Sequence, residues 1–146
     1  MDDVKDIQVR ENENRREVFD PVRRRWVALT PEEWVRQCTI QRLHNVGGYP
    51  LEVMQVEGAI TLNGMTRRCD IVVYDKEVRP YIIVECKNES VALTQKVLDQ
   101  ACRYNLVLQV PYLCLTNGAG QVCCKVDFDE KKVEMIPKLP NYHKKS

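Results

Sequence analysis

The segment Tyr81-Ile82-Ile83-Val84-Glu85-Cys86-Lys87 constrains this chain more than any other. Four apolar residues in a row, without the alternation of a half-exposed strand, specify a strand covered on both faces. Cover on both faces requires other elements above and below it. In a chain of 146 residues that means one domain built around a central sheet. The same strand carries two charges at its far end, Glu85 and Lys87, which a period of two places on one face. Unpaired buried charge is expensive, so the pair marks either an ion pair or a site.

The rest of the chain supplies the cover. Thr30-Pro31-Glu32-Glu33 reads as a helix start, with Thr as N-cap, Pro in the first turn and Glu33 placed to close a capping box. This helix is expected to run to about His44 and to end at Gly47-Gly48-Tyr49-Pro50. Strands are expected over 51–61 and 67–74, joined by Asn63-Gly64 as a hairpin turn. Apolar positions Leu93, Val97, Leu98, Ala101, Cys102 and Leu106 fall at spacings of three and four, an amphipathic helix over 93–108. Further strands follow at 110–116 and 121–128, with an edge over 131–136. The expected architecture is α/β, a mixed sheet flanked by helices. Residues 1–16 read as a polar arm, 17–139 as the domain, and 140–146 as a fraying tail. Within the domain, 18–22 and 25–29 suggest a small ribbon, with Pro21 at its edge.

Composition removes several functions. The chain has 22 Lys+Arg against 21 Asp+Glu, a net charge of +1, so it is not a uniformly basic nucleic-acid coat. Seven cysteines, at 38, 69, 86, 102, 114, 123 and 124, contain no C-x-x-C pair, and there are only two histidines, which removes zinc-ligand spacing. Cysteines inside apolar runs fit a reducing cytoplasm. No signal-peptide pattern opens the sequence, and no apolar stretch is long enough to span a membrane.

The acid-x-Lys pattern occurs four times, beginning at Asp3, Glu85, Asp129 and Glu130. Only Glu85 follows a buried strand. The hairpin joining 67–74 to 81–87 can bring Asp70 beside Glu85 and Lys87. Two carboxylates with a main-chain carbonyl between them suit a hard cation, Mg²⁺ or Mn²⁺, and a lysine supplies positive charge to a phosphate. Phosphodiester hydrolysis is the matching chemistry. Gln100 and Tyr104, four apart on the following helix, can reach the same cleft. The competing reading is an ion pair at a sheet edge with a polar helix margin beside it.

Five segments together resemble a known family: residues 30–37, Arg68-Cys69-Asp70-Ile71-Val72-Val73-Tyr74, Val84-Glu85-Cys86-Lys87, Leu93-Thr94-Gln95, and Asp99-Gln100-Ala101-Cys102-Arg103-Tyr104-Asn105. They are similar to the N-terminal nuclease domain of type I restriction enzyme R subunits, within the PD-(D/E)xK (restriction-endonuclease-like) superfamily. The resemblance covers roughly residues 17 to 120. It implies that Asp70, Glu85 and the carbonyl of Cys86 hold the metal and that Lys87 positions or activates the attacking water. It also implies that Gln100 and Tyr104 orient the lysine or contact DNA. A first-helix glutamate commonly faces the site in this superfamily; with Glu33 engaged by the capping box, Glu32 is the expected residue. R subunits continue into an ATP-driven motor, and this sequence contains no G-x-x-x-x-G-K-[ST] loop, so translocation is not expected of this chain alone.

The function expected is therefore a metal-dependent DNA endonuclease. The alternative is a non-catalytic module that binds nucleic acid or protein on the same fold. Arg23-Arg24-Arg25 and Arg67-Arg68 are the basic clusters that could meet phosphates. Breaking a duplex calls for two clefts or two visits, so a homodimer is a plausible partner state, as are other restriction-modification or nuclease-system subunits. His44 and His143 read as structural or solvent-exposed.

Overall fold

A computed structural model describes residues 6–142. Among the described residues the fold comprises two sheets, two α-helices and a short 3₁₀ turn at Leu51–Val53. A three-stranded antiparallel sheet of order β1-β2-β3 comprises β1 (Val9–Asn12), β2 (Arg15–Asp20) and β3 (Arg25–Ala28). Helix α1 (Pro31–Asn45) follows. The main sheet runs β4 (Met54–Leu62), β5 (Met65–Tyr74), β6 (Pro80–Cys86), β7 (Tyr112–Thr116), β8 (Gln121–Asp127) and β9 (Lys132–Ile136) in sequence order. Among the described residues only β6 and β7 pair in parallel, and helix α2 (Gln95–Leu108) makes the crossover that a parallel pair requires.

The main sheet is the mixed sheet flanked by helices expected from the sequence. Ile82 and Val84 of β6 face a core shared with Val35, Ile40 and Leu43 of α1. Ile83 faces a second core with Leu98, Ala101 and Cys102 of α2. The unbroken apolar run of β6 thus reflects two cores, one on each side. Helix α1 begins as its sequence indicates: Thr30 Oγ1 accepts from the Glu33 N–H at 3.0 Å. Asn63 and Gly64, with φ of 54° and 77°, form the two-residue turn of the β4–β5 hairpin.

That hairpin rolls over part-way along. Its ladder stays in step from Val56↔Ile71 to Gly58↔Cys69. Yet Ile71 packs in the α1 core, and Cys69, two residues away, packs in the α2 core. Met54 and Val56 likewise face α1, whereas Ile60 faces α2. The change of side falls at Glu57, whose φ of 55° lies in the left-handed region, and at Asp70 across from it. A candidate site residue therefore stands where the hairpin reverses its faces.

Both segments expected to flank the domain contain ordered residues. Residues 9–16 are not a loose arm: they form β1 and the start of β2, held by main-chain pairing from Val9↔Val18 to Asn12↔Arg15. Residues 140–142 do not fray. Tyr49 Oη donates to the Pro140 carbonyl at 2.5 Å, Tyr142 N donates to the Gly47 carbonyl at 2.8 Å, and the two tyrosine rings lie 5.5 Å apart. The remainder of that tail, with His143, and residues 1–5 lie outside the described residues. His44 is structural, its Nδ1 2.8 Å from the Tyr49 carbonyl. No disulfide links the seven cysteines, all of which are buried. No helix among the described residues is long and apolar enough to cross a membrane.

Candidate active site

Strands β5 and β6 part company at the site. Their ladder ends at Ile71↔Val84, so Asp70 and Glu85, the next residues along, stand opposite each other without main-chain pairing. Asp70 turns into the opening, where its Oδ2 accepts the Cys86 N–H at 2.7 Å. Glu85 is only 8% exposed, and its Oε1 accepts from Arg67 Nη2 at 2.9 Å. Burial pushes the Glu85 carboxyl up to about 7; Arg67 opposes this, and the Asp70 charge adds to it. Lys87 continues the line of β6, its N–H bonded to the Thr116 carbonyl at 2.8 Å. Its half-buried side chain makes no ion pair among the described residues.

The other wall of the fork comes from α1. Arg36, 9% exposed, lies among three carboxylates: Glu57 at 3.4 Å, Glu33 at 3.6 Å and Asp70 at 3.7 Å. The expectation for Glu32 is corrected here. Glu32 projects into solvent, while Glu33 is buried and points inward to Arg23, Gln37 and Arg36. The capping box is only half made: the Glu33 N–H uses Thr30, but its carboxylate turns away from the helix start. The reason for choosing Glu32 thereby disappears.

On the α2 side, Gln100 and Tyr104 share a helix face and line a groove of about 560 Å³ with Met65, Lys96 and Arg103. Gln100 is exposed; Tyr104 is half-buried, with the Arg67 guanidinium 4.1 Å above its ring. The two basic clusters behave differently. Arg23 is occupied inside the fold by Asp20 and Glu33, at 2.6 and 2.9 Å, which removes it as a phosphate contact. Arg67 belongs to the cleft, and its neighbour Arg68 is exposed.

The donor set fits a hard divalent cation. Two carboxylates converge at an open fork, where burial chiefly, and the Asp70 charge in addition, raise Glu85. Arg67 occupies Oε1 of Glu85, and the Asp70 carboxylate lies close enough to act on the same group. Asp70, Glu85 and the carbonyl of Cys86 are the groups that could hold such an ion, with water completing the shell as Mg²⁺ prefers. No cluster of three or more His, Cys, Asp or Glu side chains able to hold a metal occurs among the described residues.

Sequence reading missed Arg36 and Glu57. A helix period places residue 36 beside 33, so an inward Glu33 would have pointed to Arg36. Glu57 carried no such signal, because its position depends on a left-handed backbone inside a strand.

Residues 31–140 match the family model described as the type I restriction enzyme R protein N terminus. No curated protein matches. Among solved structures, the chain is similar to one from Anabaena variabilis ATCC 29413 described as "a putative nuclease belonging to DUF820". The identity is 8% and the TM-score 0.50, over 88% of this chain and 80% of that one, a likeness of fold. The matched span contains the fork, both helices and every residue named around the cleft, and the chain belongs to the family of type I restriction enzyme R protein N termini.

Proposed function

We propose that this chain is a Mg²⁺- or Mn²⁺-dependent DNA phosphodiesterase acting at the β5–β6 fork. The observation that carries this reading is the meeting of the Asp70 and Glu85 carboxylates where the ladder opens, with Lys87 two residues beyond on the same strand line. The bound ion would supply Lewis-acid stabilisation of the phosphate and a more acidic water. Asp70 and Glu85 hold that ion, assisted by the Cys86 carbonyl. The Lys87 ammonium, which no carboxylate neutralises among the described residues, orients the attacking water and offsets charge on the phosphate. Gln100 and Arg103 line the groove through which a strand would approach, and exposed Arg68 stands in the adjoining strand to contact phosphates. The buried thiols suit a cytoplasmic setting.

The test is cleavage of linear, circular and single-stranded DNA with and without Mg²⁺ or Mn²⁺, beside Lys87→Ala. Metal-dependent cutting that the variant lacks supports the proposal. DNA binding without cutting, unchanged by Glu85→Ala, would instead establish a binding module. Sedimentation in the presence of DNA would reveal whether two copies act together on a duplex.

A further inference from the structure

We infer that Arg67 is a positioning residue for Glu85, and that Tyr104 acts by holding Arg67 in place through the face of its ring rather than by touching substrate. The inference rests on the phosphodiesterase reading and assigns a chain of support within it. Arg67 does two things at once. Its Nη2 donates to Glu85 Oε1 at 2.9 Å, and its Cζ lies 4.1 Å from the centroid of the Tyr104 ring. A guanidinium over an aromatic face is a favourable contact, and its planar fork loses little freedom when it is held there.

The consequence for Glu85 is directional. A carboxylate with one oxygen fixed by a guanidinium cannot rotate freely, so its other oxygen is presented in a single direction. That is what a metal ligand requires of its outer partner. The contact also explains why a tyrosine stands at 104. Its half-buried ring forms the platform for Arg67 and also lines the groove with Gln100. Arg67 comes from β5, Glu85 from β6 and Tyr104 from α2, so the contact ties three elements together around the fork.

Calorimetric titration of Mn²⁺ into the whole chain, without DNA, separates the possibilities. Tyr104→Leu and Arg67→Ala should each weaken Mn²⁺ binding by about tenfold, the usual cost of removing a metal ligand's outer partner. The double variant should lose no more than Arg67→Ala alone, because without Arg67 the Tyr104 ring has nothing left to hold. Tyr104→Phe should bind Mn²⁺ within about twofold of the parent, since the ring face remains. Loss in Tyr104→Phe equal to that in Tyr104→Leu would overturn the inference in favour of the hydroxyl. Unchanged Mn²⁺ affinity in Tyr104→Leu with weakened DNA binding would overturn it in favour of substrate contact. Arg67 is a quarter exposed, and Arg67→Ala with unchanged affinity would refute it even if the tyrosine variant lost its fold. A parent protein that binds no Mn²⁺ would defeat the phosphodiesterase reading and this inference together. A parent that binds it, with indifferent variants, defeats this inference alone.

Discussion

Two groups of buried charge adjoin the first turns of α1, linked through Glu33, and they are finished to different degrees. At the small sheet, Asp20 is fully buried and accepts four bonds: Val22 N at 2.7 Å, Arg23 N at 2.8 Å, Arg23 Nε at 2.6 Å and Gln37 Nε2 at 3.0 Å. Glu17 beside it is held by Arg10, Asn12 and Arg15. Toward the fork the contacts lengthen. Arg36 meets its three carboxylates at 3.4 to 3.7 Å, and its buried Nε has no hydrogen-bond partner among the described residues. At the fork itself, Glu85 has one cation, and Lys87 has no anion among the described residues. A closed set of charges holds structure together; an open set keeps capacity for something that arrives later.

Function should break at the open set and stability at the closed one. The largest effect expected is on Lys87→Ala and Glu85→Ala, each losing DNA cleavage by about 10³-fold while thermal melting shows a folded protein. Cleavage that survives Lys87→Ala would erase the distinction. Next, Asp20→Ala should destabilise the protein by about 3 kcal/mol in urea titration, because Arg23 and Gln37 lose a buried partner. The same measurement on Asp70→Asn should give a smaller loss, since the amide still offers an oxygen to the Cys86 N–H and repulsion at Glu85 falls.

The pH dependence of the two sets runs in opposite directions. Glu85 is raised to about 7, so between the ordinary carboxylate range and about 7 the folded form holds a proton that the unfolded chain has lost. Its contribution is present at low pH and is lost as pH rises toward 7. Glu17 is lowered, chiefly by Arg15 and then Arg10, so its contribution is present above the unfolded pKa and is lost as pH falls through the folded one. Melting temperature against pH should show the near-neutral loss vanish in Glu85→Gln while the acid limb stays. The smallest effect belongs to Glu32→Ala, expected within about 0.5 kcal/mol of the parent, whereas Glu33→Ala breaks contacts to both sets. Equal behaviour of the two variants would return Glu32 to consideration.

Much of the fold was legible because it rests on local rules. The Thr30 cap, the Asn63-Gly64 turn and the period of α2 each announce an element within a few residues. Misreadings arose where polarity was taken for looseness. Residues 9–16 are mostly charged, but their order comes from main-chain pairing with the rest of β2, which composition does not report. Tyr49 of the loop after α1 is what holds residues 140–142, a partner ninety-one positions away in sequence from Pro140.

By itself the sequence determined the central strand and its cover on both faces, and it raised Asp70, Glu85 and Lys87 as candidates, on β5, on β6 and just beyond its end. These follow from periodicity and from the cost of burying charge, which depend only on residue type and spacing. The tertiary structure alone decided which first-helix glutamate turns inward, and that Arg36, Glu57 and Arg67 surround the two carboxylates. Those placements depend on a hairpin that reverses its faces at Glu57 and Asp70 and on strands that separate beyond Ile71 and Val84. Both are outcomes of packing between distant segments, and no local window of sequence contains them.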